Sequence, residues 1–100
     1  MQIQGYDFEQ PYPLSRTSFN NVAALYVIYT VLNGRTIWLD VGETDELGNR
    51  LSGHERKDCW TENAQGGELY IGVRQESSEF HRRNVESDLR NKLLPLCGER

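Results

Sequence analysis

Residues 24–32 (ALYVIYTVL) carry apolar side chains at nearly every position, the pattern of a strand covered on both faces. Asn33-Gly34 follows and marks a hairpin. In the return strand, residues 36–41, Trp38 and Asp40 share one face while Ile37, Leu39 and Val41 share the other. It stops in Val41-Gly42-Glu43-Thr44. Leu47 and Leu51, four apart, predict a helix over about residues 45–55. Thr44 or Asp45 would cap it, Asp45 and Glu46 suit its positive end, and Gly48 and Gly53 weaken it. Residues 56–67, broken by Gly66-Gly67, read as a loop with room for a short turn of helix, and residues 69–73 as a short third strand. Ser77-Ser78 opens a helix over about 79–94, with Val85, Leu89 and Leu93 as its buried stripe and Pro95 and Gly98 as its stop.

Residues 1–22, with Pro11, Pro13 and the rings of Tyr6, Phe8, Tyr12 and Phe19, form an extension draped over the domain made by residues 23–100. The expected fold class is α+β (α/β), a small three-stranded mixed or antiparallel sheet flanked by helices. The hairpin register decides one further point. A two-residue Asn33-Gly34 turn puts Asp40 opposite Val27, away from Tyr26. A three-residue loop with Gly34 left-handed sets Asp40 across from Tyr26 on one face, which is the arrangement expected here.

One hundred residues make one domain with a single core. No apolar run is long enough to cross a bilayer, and no basic segment followed by an apolar one opens the chain, so neither a membrane span nor a signal peptide is expected. The two cysteines, Cys59 and Cys97, make no disulfide framework, and a reducing cytoplasm is the simplest setting. The net charge of -4 is unevenly spread. Residues 1–47 hold two basic and six acidic side chains, and residues 48–100 nine of each. Arg50, Arg56, Lys57, Arg82, Arg83, Arg90 and Lys92 can therefore still form the local basic surface that a phosphate backbone requires.

On a helix Arg50 and His54 stand in one column, about sixty degrees around the axis from Leu47 and Leu51. Glu86 lies likewise in the column Arg82–Glu86–Arg90, three residues before Leu89. Polar groups at the shoulders of two helices suit a pocket over a sheet. Each alone has a plainer reading: Arg50 a solvated arginine, His54 a half-buried histidine, Glu86 a rung between two arginines worth a few tenths of a kcal/mol. His54, Cys59, His81 and Cys97 match no compact zinc spacing, and Gly66-Gly67 is too bare for a phosphate loop.

Taken in order, Leu25-Tyr26, the hairpin, Val41-Gly42-Glu43-Thr44, Arg50-x-x-x-His54, the segment Arg82 to Leu89 with Glu86, and Leu94-Pro95-Leu96-Cys97 resemble the GIY-YIG nuclease superfamily. The resemblance spans most of the chain. It implies a metal-dependent endonuclease that hydrolyses phosphodiester bonds of DNA, or a diverged, inactive relative. It implies Tyr26 as the phenol that activates water, Arg50 as the phosphate-holding guanidinium and His54 as the group that orients Tyr26 or relays a proton. Glu86 would anchor one Mg2+ or Mn2+, and Arg56, Lys57, Arg82 and Arg90 would contact nucleic acid. The family's second tyrosine falls at Asp40, which could add a carboxylate to the metal or pair with Arg50, and its late asparagine falls at Gly98 or a neighbour. The alternative is a non-catalytic module on the same scaffold that binds nucleic acid or protein.

Overall fold

A computed structural model of the chain describes residues 1–98. The elements are β1 (Gln2–Ile3), β2 (Tyr6–Asp7), β3 (Tyr12–Pro13), β4 (Ala24–Leu32), β5 (Arg35–Thr44), α1 (Leu47–Ser52), α2 (Lys57–Ala64), β6 (Tyr70–Gln75) and α3 (Glu79–Leu93). The fold is α+β. Its main sheet has four strands, not three, in the order β3-β6-β4-β5, and every pairing is antiparallel. The added strand is β3, supplied by the N-terminal extension. Pro13 suits that edge, where a missing N–H costs no ladder bond.

Strand β4 lies between β5 and β6 and is buried from Ala24 to Thr30. Two cores explain this. Leu25, Val27 and Val41 pack with Leu89 of α3 and with Ile3 and Phe8 of the β1–β2 hairpin. Tyr26, Ile28 and Leu39 pack on the opposite face with Leu47, Leu51 and Trp60. Residues 1–22 thus reach both faces instead of draping over one. They also cap α1: Val22 O and Asn20 O accept from the Leu47 and Gly48 amides, and Asn21 Oδ1 accepts from Asn49 N. Thr44 Oγ1 accepts from Glu46 N one turn earlier. Helix α1 is shorter than its pattern predicts and ends before His54. Residues 57–64, expected as loop, form α2 because Trp60 and Ala64, four apart, bury one face.

The hairpin register is not the expected one; only the shared face of Asp40 and Tyr26 is as expected. Asn33 and Gly34 both have positive φ, 54° and 76°, so the turn has two residues and Leu32 pairs with Arg35. A bulge then intervenes: Tyr29 pairs with Trp38 and Ile28 with Asp40, leaving Leu39 as the extra residue. That residue resets the alternation. Asp40 therefore shares the Tyr26 face, two pairs along and opposite Ile28, while Gly42 is the residue directly opposite Tyr26.

The outer edge of β5 is covered. Trp38 O accepts from Leu96 N (3.2 Å), Leu39 O from Cys97 N (2.8 Å), and Val41 O from the Arg90 guanidinium. Cys97 is joined to Cys59 of α2 in a disulfide closing 38 residues, against the expectation of two unpaired thiols. Spacing alone did not show that the bulge and α2 bring the C-terminal segment beside Cys59. Among the described residues, no helix is long and apolar enough to cross a membrane.

Candidate functional site

Tyr26 and Gly42 form the floor. A Cβ at position 42 would stand 2.2 Å from the tyrosine Cζ and 2.3 Å from its Oη, so only glycine leaves the phenol its place. Tyr26 is 1% exposed, and its Oη lies 2.7 Å from His54 Nε2. His54 is not in a helical column with Arg50. It lies beyond the end of α1, turned inward, with its ring 4.4 Å from that of Trp60 and edge-on to Tyr26. The Arg56 amide donates to His54 Nδ1 at 3.1 Å. That bond favours the tautomer with the ring proton on Nε2, donating to Tyr26 Oη, although Arg56 Nη2 also lies 3.5 Å from Nε2.

Electrostatics agree with a neutral pair. Burial first, then the Arg50 and Arg56 charges, lowers the His54 pKa to about 4. Burial raises the Tyr26 phenol to about 12, while Arg50 opposes the shift. The phenol thus keeps its proton at neutral pH unless more positive charge arrives.

Asp40 is fully buried and surrounded by donors. Its carboxylate accepts from Arg56 Nε (2.6 Å) and Nη2 (3.3 Å), Trp60 Nε1 (2.9 Å), Arg90 Nη2 (2.8 Å) and the Val41 amide (2.9 Å). It therefore takes neither role considered for it: it does not pair with Arg50, and such a shell of donors does not fit a metal ligand. Gly98 backs this knot, since a Cβ there would come within 2.7 Å of Arg90 Nη1 and 3.1 Å of Asp40 Oδ1.

Arg50 extends from α1 and binds Glu55 through two bonds, Nη1 to Oε2 at 2.6 Å and Nη2 to Oε1 at 2.9 Å. Arg56 Nη1 reaches the same Oε1 at 3.2 Å. The Arg50 bonds, first among several causes, hold the Glu55 carboxyl at about 2. Beside Arg50, residues Thr44, Glu46, Asn49 and Gly53 line an open depression of about 250 Å3.

Glu86 approaches from α3. Burial raises its carboxyl pKa, the Arg90 charge opposes this, and the Glu43 carboxylate adds to it. A half-buried carboxylate next to another is relieved by a divalent cation, and hydrated Mg2+ needs only one or two carboxylates. Glu86 therefore fits such an ion. Among the described residues no group of three or more His, Cys, Asp or Glu gathers to hold a metal more fully.

Tyr26, His54, Arg50, Arg56, Asp40 and Arg90 thus form one connected cluster, with Glu86 near enough for the charges of Arg90 and Arg56 to act on it. Two residues expected at a nucleic-acid surface stand elsewhere. Arg82 is buried, donating to Glu43 Oε2 and to the carbonyls of Glu76 and Ser77, so it ties the start of α3 to β5. Lys57 reaches Ser52 O (3.3 Å) and lines a separate hollow with Leu14, Phe19 and Leu51. Lys92 is paired with Asp88, and Arg83 with Glu79 and Glu43, so the expected basic surface is largely neutralised. Sequence reasoning missed Glu55, Trp60 and Gly42 as parts of the site. Only the adjacency of Glu55 to His54 was visible, and Trp60 fell in a stretch read as loop. The chain matches no family model, no curated protein and no solved structure, so its function is argued from this geometry and from the motif order.

Proposed function

We propose that the chain is a diverged GIY-YIG-like endonuclease that hydrolyses DNA phosphodiester bonds with one Mg2+ or Mn2+. The observation that carries this reading is the 2.7 Å contact between Tyr26 Oη and His54 Nε2, with Arg50 beside the phenol and Glu86 entering from another helix. These groups are remote in the chain and converge around the end of β5. Tyr26, as the phenolate left when its own proton is lost to solvent, takes a proton from the attacking water through Oη. His54, neutral and donating through Nε2–H, orients that oxygen and stabilises it once deprotonated. It is an orienting group, because its other nitrogen is already occupied by the Arg56 amide. Arg50 exchanges Glu55 for the scissile phosphate, which its planar fork suits. Glu86 would hold the cation, whose charge, when bound, neutralises the phosphate and favours ionisation nearby.

The second reading, a non-catalytic binding module, draws on two observations. Asp40 is consumed by two arginines, and Arg50, Arg56 and Arg90 are all ion-paired. A supercoiled-plasmid nicking assay with Mg2+ or Mn2+ separates the readings. Nicking that Tyr26→Phe, Arg50→Ala and Glu86→Ala each abolish supports the enzyme. Absence of nicking alongside DNA or protein binding supports the module, and unchanged nicking in the variants refutes this site. The Cys59–Cys97 bond removes the ground for expecting a reducing cytoplasm, because such a bond persists in oxidising compartments and would be a dithiol in a reducing one.

A further inference from the structure

We propose that Glu55 is an intramolecular stand-in for a DNA phosphate, occupying a cradle formed by Arg50 and Arg56 until a backbone phosphodiester displaces it. This rests on the reading of the site as one for DNA. The shape of the contact is that of an anion bound between two guanidiniums. One carboxylate oxygen accepts from both Arg50 Nη2 and Arg56 Nη1, and the other from Arg50 Nη1. The two arginines differ from the surface pairs elsewhere on the molecule. Arg56 is fixed from below by Asp40, through Nε and Nη2, which leaves its Nη1 edge aimed at Glu55. Arg50 is held beside the buried Tyr26–His54 pair. Their side chains are only 31% and 23% exposed, whereas the Glu55 side chain is 61% exposed. The cradle is therefore anchored and its occupant is the more exposed partner.

A phosphodiester oxyanion presents the same two-oxygen face to such a fork, with the same charge. Exchange keeps both guanidiniums satisfied, and Glu55 moves out into water at little cost because exposed ion pairs contribute at most about 1 kcal/mol. Asp40 acts in this as a positioning residue for Arg56. Unliganded, the cradle presents no free positive charge, consistent with the neutralised surface around it. Random anions are thereby disfavoured, and only a ligand with further contacts competes with the tethered carboxylate.

The test is fluorescence anisotropy with a labelled duplex oligonucleotide, without divalent cation, over a range of salt. Glu55→Gln should tighten binding roughly two- to fivefold, the factor that removal of one competing ion pair permits. The slope of log affinity against log salt should steepen by about one, since a counterion now takes the place of the carboxylate. Glu68→Gln, an exposed glutamate paired with Arg16, controls for the loss of one negative charge and should change affinity less than twofold. Adding Arg56→Ala to Glu55→Gln should return affinity to the parent value or below. Glu55→Ala, checked for folding by circular dichroism, should behave as Glu55→Gln. Equal effects of Glu55→Gln and Glu68→Gln, or weaker binding by Glu55→Gln, would overturn the stand-in. Because the readout is binding, the two proposals fail separately. Selective tightening without nicking by any form keeps the cradle and rejects the nuclease. Nicking by the parent with no selective tightening does the reverse.

Discussion

Substituting Gly42 by alanine strikes the point where the site depends most on the backbone. The new methyl would stand 2.2, 2.3 and 2.8 Å from Tyr26 Cζ, Oη and Cε1, where carbon atoms in contact need about 3.5 Å or more. The ring is fully buried, so it cannot swing into water without emptying part of the core. Either β4 and β5 separate locally or the phenol leaves His54. Overpacking of this kind costs about 1–3 kcal/mol. Stranding the buried His54 Nε2–H adds about 1–3 kcal/mol, and the lower backbone entropy of alanine returns roughly 0.5–1 kcal/mol. The net loss should be about 1–5 kcal/mol, read as a lower urea midpoint at unchanged slope. Tyr26→Phe should not rescue it, since Cζ remains in the way. Tyr26→Ala should: in that background Gly42→Ala becomes neutral or slightly stabilising, a coupling of several kcal/mol between paired residues. A Gly42→Ala variant within about 0.5 kcal/mol of the parent would refute the packing of the phenol on this strand, and with it the floor of the site.

Three further outcomes follow from the geometry. The His54 pKa falls from 6.5 to about 4 on folding, so below pH 6.5 the unfolded chain binds a proton that the folded chain refuses. Stability should fall as pH drops from about 6.5 to 4, by on the order of 3 kcal/mol from this residue. Glu86, shifted upward, offsets part of it; a His54→Gln variant with an undiminished slope in urea titrations at several pH values would contradict this. Reducing Cys59–Cys97 should lower stability by about 4 kcal/mol, from the loop of 38 residues it closes, and two thiols titrating in the native, unreduced protein would rule the bond out. Asp40→Asn should cost about 3–5 kcal/mol, because it leaves Arg56 and Arg90 without their buried counter-charge; unfolding at the parent's urea concentration would deny that role.

Local pattern carried the sequence reading a long way. The apolar run of β4, the Asn33-Gly34 turn and the Val85, Leu89 stripe of α3 each write their surroundings into adjacent residues. What escaped depends on partners distant in the chain. Leu39 reads as an ordinary inward strand residue, and nothing nearby announces that it is the bulge that turns Asp40 toward Tyr26. Residues 57–64 lack a strong apolar period, so α2 shows only through Trp60 meeting Asp40 and His54. Arg82 and Arg56 are both arginines near the site, yet one is buried on Glu43 and the other holds Glu55, a difference set wholly by tertiary packing. A meeting of Tyr26 with His54 was expected from motif order, whereas the pairing of Arg50 with Glu55, of Arg56 and Arg90 with Asp40, and of Arg82 with Glu43 was not.

The covered border of β5 has a consequence for synthesis. Its carbonyls at Trp38, Leu39 and Val41 find their donors in Leu96, Cys97 and Arg90, 49 to 58 residues later. A nascent chain that has already made the hairpin therefore carries a bare, twisted margin able to recruit a neighbouring copy. Release from that hazard comes with the last helix and the few residues behind it, so molecules shortened before Pro95 should be prone to stick to one another.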